Sequence, residues 1–192
     1  MLLQDFHTHN LDAEPGTAII NLPISALLHP ETFHFREGAL YSVGIHPWWT
    51  SEDTETINKL WEIVTHIARN PQVVAIGECG LDRLQGGDMK RQSEIFLRHI
   101  LLSEELKKPL TIHCVRAFDL LLGTKKELHP EMKWTVHAFR GRPALARQLL
   151  HAGFDLSFGA KHNHESFCLT PPERRHVETD DSSEPLPTPP KV

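Results

Sequence analysis

Short apolar runs rich in Val, Ile and Leu recur along this chain, and most are followed by a stretch with helical spacing. The runs are Leu2–His7, Thr17–Leu22, Leu40–Ile45, Val73–Glu78, Pro109–His113, Trp134–His137, Phe154–Phe158 and, more weakly, His176–Thr179. Apolar runs bounded by turn signals suit strands buried on both faces, as in a parallel sheet. Between the runs, Ser51 precedes an acidic first turn and an amphipathic set from Ile57 to Ala68 that ends near Pro71. Asp88 is placed to cap a helix reaching Leu106; Phe118, Leu121 and Leu122 continue the pattern; Arg142-Pro143 opens a helix that Gly153 ends. Strand–helix alternation repeated about eight times predicts a compact TIM (β/α)8 barrel rather than an open doubly wound sheet.

The 192 residues suffice for one domain with a sizeable core. The barrel is expected over 1–181. Residues 182–192 contain four prolines, which forbid a helix, so the closing C-terminal helix is expected to be missing and this stretch to be a disordered tail. The net charge of −5 disfavours a protein that coats nucleic acid through a wide basic surface. It leaves room for a small site holding one phosphate, where bound cations supply the positive charge. The N-terminus lacks the basic and apolar regions of a signal peptide, and no apolar run approaches the ~20 residues that span a bilayer. The expectation is a soluble cytoplasmic protein without a membrane partner, and a monomer. Cys79, Cys114 and Cys168 form no close pair, and strand alternation turns Cys79 and Cys114 toward the helices as buried structural thiols.

Histidine is over-represented, 14 against 20 Lys plus Arg. His7-Thr8-His9 lies at the end of the first predicted strand, where alternate residues face one side and both imidazoles can reach a single ion. Glu78, His113, His137 and Asp180 fall at equivalent places, each on or just past the C-terminal end of a strand. Barrel enzymes build their active sites at that rim. A carboxylate at the end of a run as apolar as Val73–Gly77 is costly to leave unpaired, and a cation settles that cost. His29, His34, His66, His99, His129 and His151 fall in helical or loop stretches and are expected to be solvated.

Six blocks resemble, in order, the signatures of the TatD family of metal-dependent deoxyribonucleases. They are Asp5-Phe6-His7-Thr8-His9, Val43-Gly44-Ile45-His46-Pro47, Ala75–Asp82, Thr111-Ile112-His113-Cys114, His137-Ala138-Phe139-Arg140-Gly141 and Glu178-Thr179-Asp180. The Gly77–Asp82 and Glu178–Asp180 blocks are the specific ones. The resemblance implies a TIM barrel, a one- or two-metal centre and hydrolysis of phosphodiester bonds in DNA. The six residues already singled out match the family's metal ligands. The chain departs from the family pattern at Arg140, where Thr is usual, and in a compressed stretch from Phe167 to Val177.

Four imidazoles and two carboxylates favour Zn, Mn or Fe ions, with Mg kept open by the family's tolerance for it. The arrangement expected is one ion on His7, His9 and Asp180, a second on His113 and His137, and Glu78 bridging them. Asp180 and Glu78 are the catalytic candidates, with Asp180 placed to accept a proton from water. His46, Arg116 and Arg140 are candidates for binding a phosphate, with a packed turn and surface arginines as the opposing readings. Asp82 is expected to order the loop after Glu78 or to support a ligand. The substrate expected is a DNA end or a small phosphoester. Hydrolysis of another ester or amide on the same barrel, and metal binding without catalysis, are the alternatives.

Overall fold

The computed structural model describes residues 3–188. Eight strands form one sheet in chain order, every neighbouring pair parallel. They are β1 (Asp5–Thr8), β2 (Ala18–Asn21), β3 (Leu40–Val43), β4 (Val73–Asp82), β5 (Leu110–Val115), β6 (Trp134–Val136), β7 (Phe154–Phe158) and β8 (Arg175–Val177). A parallel bridge between Thr8 and Asp180 joins the last segment to the first, so the sheet curls into a nearly closed barrel. Two backbone bonds hold that seam, from Asp180 N–H to the His7 carbonyl (3.0 Å) and from His9 N–H to the Asp180 carbonyl (2.9 Å). Beneath it, Asp5 accepts the Thr179 N–H (3.1 Å) and hydroxyl (2.6 Å).

The helices are α1 (Ile24–Leu28), α2 (Thr54–Ile67), α3 (Met89–Leu106), α4 (Phe118–Leu128), α5 (Pro143–His151) and α6 (His164–Leu169). Asp88 caps α3 as expected, accepting the Arg91 N–H at 2.9 Å. The cap of α2 is Asp53, which accepts the Thr56 N–H, and not Ser51. Pro47 leads residues 47–51 into a separate helical turn that Glu52 closes, so Asp53 is the residue left to cap α2. No helix separates β1 from β2, and among the described residues none follows β8. Ser182–Thr188 forms no helix or strand. The rest of the expected disordered tail, 189–192, lies outside the described residues, as does Leu2 of the first predicted strand.

Alternation along the strands separates two kinds of surface. Trp134 and Phe154 meet edge-to-face, with Phe96 of α3 edge-on to Trp134 and Phe167 of α6 edge-on to Phe158. These rings fill the layer between sheet and helices, where each buried aromatic contributes roughly 1.5–3 kcal/mol. The intervening residues point into the barrel and are small and polar, among them Asn21, Ser42, Thr111, Thr135 and Ser157, all buried. A polar interior below the rim gives a buried carboxylate something to bond to. Among the described residues no helix is long and apolar enough to cross a membrane.

Candidate metal centre

Glu78 sits inside β4, a strand otherwise almost wholly apolar at that point, and is 4 % exposed. Its position is set from below by Asn21, which accepts the Glu78 N–H (2.9 Å) and the Ser42 hydroxyl (3.0 Å). The same amide turns its NH2 toward Glu78 Oε2 (3.4 Å). The two oxygens of Glu78 face different groups. Oε2 lies 3.3 Å from His7 Nε2 and 3.1 Å from His9 Nε2. Oε1 lies 2.7 Å from His137 Nε2, 3.6 Å from His113 Nδ1 and 3.3 Å from His46 Nε2. Asp180 joins the first group, its Oδ1 at 3.4 Å from His9 and 3.7 Å from His7. All six sequence-predicted ligands thus converge on one rim. His7, His9 and Glu78 can supply donors to one ion, as can His46, Glu78 and His113; the sets overlap, since His7 also groups with His137 and Asp180.

Several residues behind this ring orient it. Glu178 is buried and accepts from Ala138 N–H (2.7 Å) and His137 Nδ1 (3.3 Å), which aims His137 Nε2 at the centre. Asp82 Oδ2 takes His113 Nε2 at 3.1 Å, leaving Nδ1 to face Glu78. Such carboxylate–imidazole pairs fix the tautomer and raise the basicity of the inward nitrogen. Asp82 also orders the loop behind it, since Oδ1 accepts the Leu84 and Gln85 N–H groups. Gln92 of α3 clamps the same loop, accepting the Asp82 N–H and donating to the carbonyls of Asp82, Gln85 and Gly87. Asn21 and Gln92 had no individual signal as site residues in the sequence, and Glu178 stood in the Glu178–Asp180 block without a role of its own; Asn21 and Glu178 act through contacts between segments distant along the chain.

His46 plays a different part. Its Nδ1 accepts the Trp48 N–H (3.2 Å), so in the neutral ring Nε2 carries the proton and points it at Glu78. That makes it a donor to an anion rather than a ligand with a free lone pair. Arg116 and Arg140 are exposed and border a cleft of about 1160 Å³ above the ring. Three backbone positions at the ligand-bearing ends have positive φ without being glycine: Arg116 (53°), Ala138 (46°) and Asp180 (56°). Residues held in that region cluster where the surroundings over-determine them, and here Glu178 holds Ala138 and the β1 seam holds Asp180.

The electrostatics calls for positive charge. Burial acts to raise the Glu78 pKa, but attraction from His137 and His7 and hydrogen bonds from His113 and His137 outweigh it and hold it well below the usual carboxylate range. For Asp180 burial is likewise outweighed, chiefly by His9. Hydrogen bonds to Asp180 and Glu78 push His9 up to about 9, and Glu78 and Glu178 raise His137 against the effect of burial. Both ring nitrogens of fully buried His7 lack a hydrogen-bond partner, a costly state for polar atoms. A divalent cation fits this donor set, because it engages an orphaned imidazole and offsets two carboxylates together.

Other expected positions divide. Cys79 is fully buried and its thiol is raised by that burial. Cys114 is half-buried and borders the cleft rather than turning fully away, with burial pushing its thiol up to about 12. His29, His34, His66, His129 and His151 are exposed. His99 is not solvated, as expected from its helical position, but 0 % exposed. It lies on the inner face of α3, with Nε2 accepting the Ile45 N–H and Nδ1 donating to the Ile95 carbonyl.

A sequence model described as TatD related DNase matches residues 28–190. Curated relatives include an uncharacterized metal-dependent hydrolase of Buchnera aphidicola subsp. Baizongia pistaciae, 37% identical over 150 residues that cover 73% of this chain and 55% of that protein. The metal-dependent hydrolase YcfH of Escherichia coli K12 is 31% identical over 156 residues, covering 76% and 56%. The protein named 3'-5' ssDNA/RNA exonuclease TatD in Erwinia tasmaniensis is 35% identical over 111 residues, covering 54% and 40%. The chain spans about half the length of the curated relatives it matches. Among solved structures, the TatD homologue YJJV of Escherichia coli K12 superposes with a TM-score of 0.71 at 18% identity, over 93% of this chain and 78% of that one. A TatD family hydrolase of Entamoeba histolytica gives 0.68 at 21% identity, over 94% and 75%. These two establish the shared barrel. With its family match running through β3 to β8, this chain belongs to the TatD-related DNase family.

Proposed function

We propose that this chain is a metal-dependent phosphodiesterase that removes nucleotides from a DNA end. The observation that carries the reading is the division of Glu78, one oxygen among His7, His9 and Asp180 and the other among His113, His137 and His46. That arrangement suits two ions sharing one carboxylate: His7, His9 and Asp180 on one, His113 and His137 on the other. Zn, Mn or Fe match the nitrogen-rich donors best, with Mg as the further candidate. Bound there, such ions lower the pKa of a water and neutralise charge on phosphoryl oxygens.

The chain's own residues supply the rest. Asp180, held low and at the open side of the ring, takes the proton from the attacking water and passes it to the leaving oxygen. His46 Nε2–H, with Arg116 and Arg140 on the cleft wall, binds the non-reacting oxygens of the phosphate. A net charge of −5 concentrates the attraction for phosphate in the cleft, which suits a strand end over long-duplex coating. The name of the Erwinia relative, a single-strand exonuclease, supports the same substrate class. The catalytic unit is the barrel of residues 1–181, with 182–192 as its tail, acting as a monomer in the cytoplasm; its three unpaired cysteines support a reducing compartment.

The test pairs metal content with turnover. Wild-type protein is expected to hold one or two ions and release nucleotides from single-stranded DNA in an EDTA-sensitive reaction. His7→Ala with His9→Ala should lose both, whereas Asp180→Asn should lose turnover far more than metal. Unchanged turnover in the double variant sinks the ligand assignment. Full metal occupancy with no hydrolysis of any ester sinks the catalytic one.

A further inference from the structure

Trp48 and Trp49 are adjacent in sequence and differ in burial. Trp49 is half-buried and packs on the core. Trp48 keeps 45 % of its surface exposed, on the wall of the cleft above the ligand ring. It is also rigidly held. Its backbone N–H bonds to His46 Nδ1, Pro47 precedes it in a helical turn, and its indole Nε1–H donates to Asp82 Oδ2 at 2.7 Å. That carboxylate oxygen is the one that holds His113. The indole lies edge-to-face with His46 (4.6 Å between centroids) and His113 (5.7 Å). An exposed indole fixed at three points, against a ring of metal-binding side chains, is not needed for packing.

We propose that Trp48 is the stacking platform for one unpaired nucleobase at the strand end. Stacking on an aromatic ring tolerates any base, since each has a π-face, and a preordered ring costs little entropy to use. A base placed on Trp48 sits beside His46, whose ring is 4.6 Å from the indole and whose Nε2–H faces Glu78, so its phosphate falls toward the ring of candidate ligands. Half-buried Phe118 and Trp49 extend the apolar wall, while Arg116 and Arg140 lie on the same cleft for the backbone charge. The substrate class that follows is an end with its last base outside the duplex stack. This inference rests on the reading of the cleft as a nucleotide site.

The experiment measures binding and turnover separately for wild type, Trp48→Ala and Trp48→Phe. The probes are two labelled single-stranded oligonucleotides, one ending in thymine and one abasic at that position, with Mn²⁺ present. By fluorescence anisotropy, wild type should prefer the base-bearing probe by roughly 5- to 150-fold, the equivalent of one stacked base. Trp48→Ala should abolish that preference, weakening binding of the base-bearing probe far more than that of the abasic one. Trp48→Phe should retain most of it, although it loses the bond to Asp82. Equal weakening toward both probes in both variants would show that Trp48 only supports Asp82 and His113, and would overturn the platform. No preference in wild type would overturn it too, and if hydrolysis persists the nuclease reading survives. Wild type that neither binds nor cleaves either probe overturns both.

Discussion

His99→Gln perturbs the support beneath the segment that follows β3, at Ile45 beside His46. The imidazole is 0 % exposed, with one nitrogen accepting the Ile45 N–H at 2.9 Å and the other donating to the Ile95 carbonyl at 2.8 Å. A second ring proton would point at the Ile45 N–H, and burial pushes the pKa down from 6.5 to about 4. In the unfolded chain the same group titrates near 6.5. Between those values the unfolded state binds a proton that the folded state refuses, so stability falls as pH falls, by about 1.4 kcal/mol per unit. The contribution is complete above the unfolded pKa and is lost by about pH 4. From about pH 7.5 to about pH 5, wild type therefore loses about 2 kcal/mol through this residue. A glutamine side chain has nothing to titrate. The other ionisable groups remain in both proteins, so they cancel in the difference. Urea unfolding in EDTA, followed by tryptophan fluorescence, should show wild type losing about 2 kcal/mol more than the variant over this interval. Parallel profiles that agree within about 0.5 kcal/mol would refute a neutral, buried His99.

Two further expectations concern the metal centre. Glu178→Gln removes the charge that orients His137 while keeping its size, and should lower Mn²⁺ or Zn²⁺ affinity roughly 10- to 100-fold, read by competition with a chelating dye; an unchanged affinity would reduce Glu178 to a support for Ala138. Mn²⁺ added to stripped protein at about 100 times its Kd should stabilise it by about 2.7 kcal/mol, raising Tm by roughly 5–10 °C for a domain of this size. The His7→Ala, His9→Ala variant should lose most of that shift, and an identical shift in both proteins would place the ion elsewhere.

The strand–helix alternation was legible because strands covered on both faces must be apolar throughout, and helices between them must be amphipathic. Six of the eight strands lie where the apolar runs predict them to within about two residues. The two that differ are β1, which starts three residues later than its run, and β4, which continues four residues past Glu78 to Asp82; Asp180 lies beyond β8 in an isolated bridge. That bridge exists only because β1 stands beside it. The error at Ser51 was local, because a proline-led turn consumed the residue that would otherwise cap α2. The error at His99 was one of phase, since a polar residue on a helix reveals nothing of a backbone N–H waiting opposite it just past β3.

That the six candidate residues would come together was readable as well. Each lies in or just past the C-terminal half of a strand, Glu78 and His113 within β4 and β5 and Asp180 beyond β8, and chain order with strand phasing is enough to send such residues to one rim. What the sequence could not express is how the rim is wired. Glu78 shares its two oxygens between two sets of imidazoles, Asp82 couples Trp48 to His113, and Glu178 reaches across from the last strand end to aim His137. Those relations join residues up to 71 positions apart, as His7 and Glu78 are. Periodicity reports which face a residue takes within its own element. Which partner meets it there depends on closure of the barrel, and closure is a property of all eight strands at once.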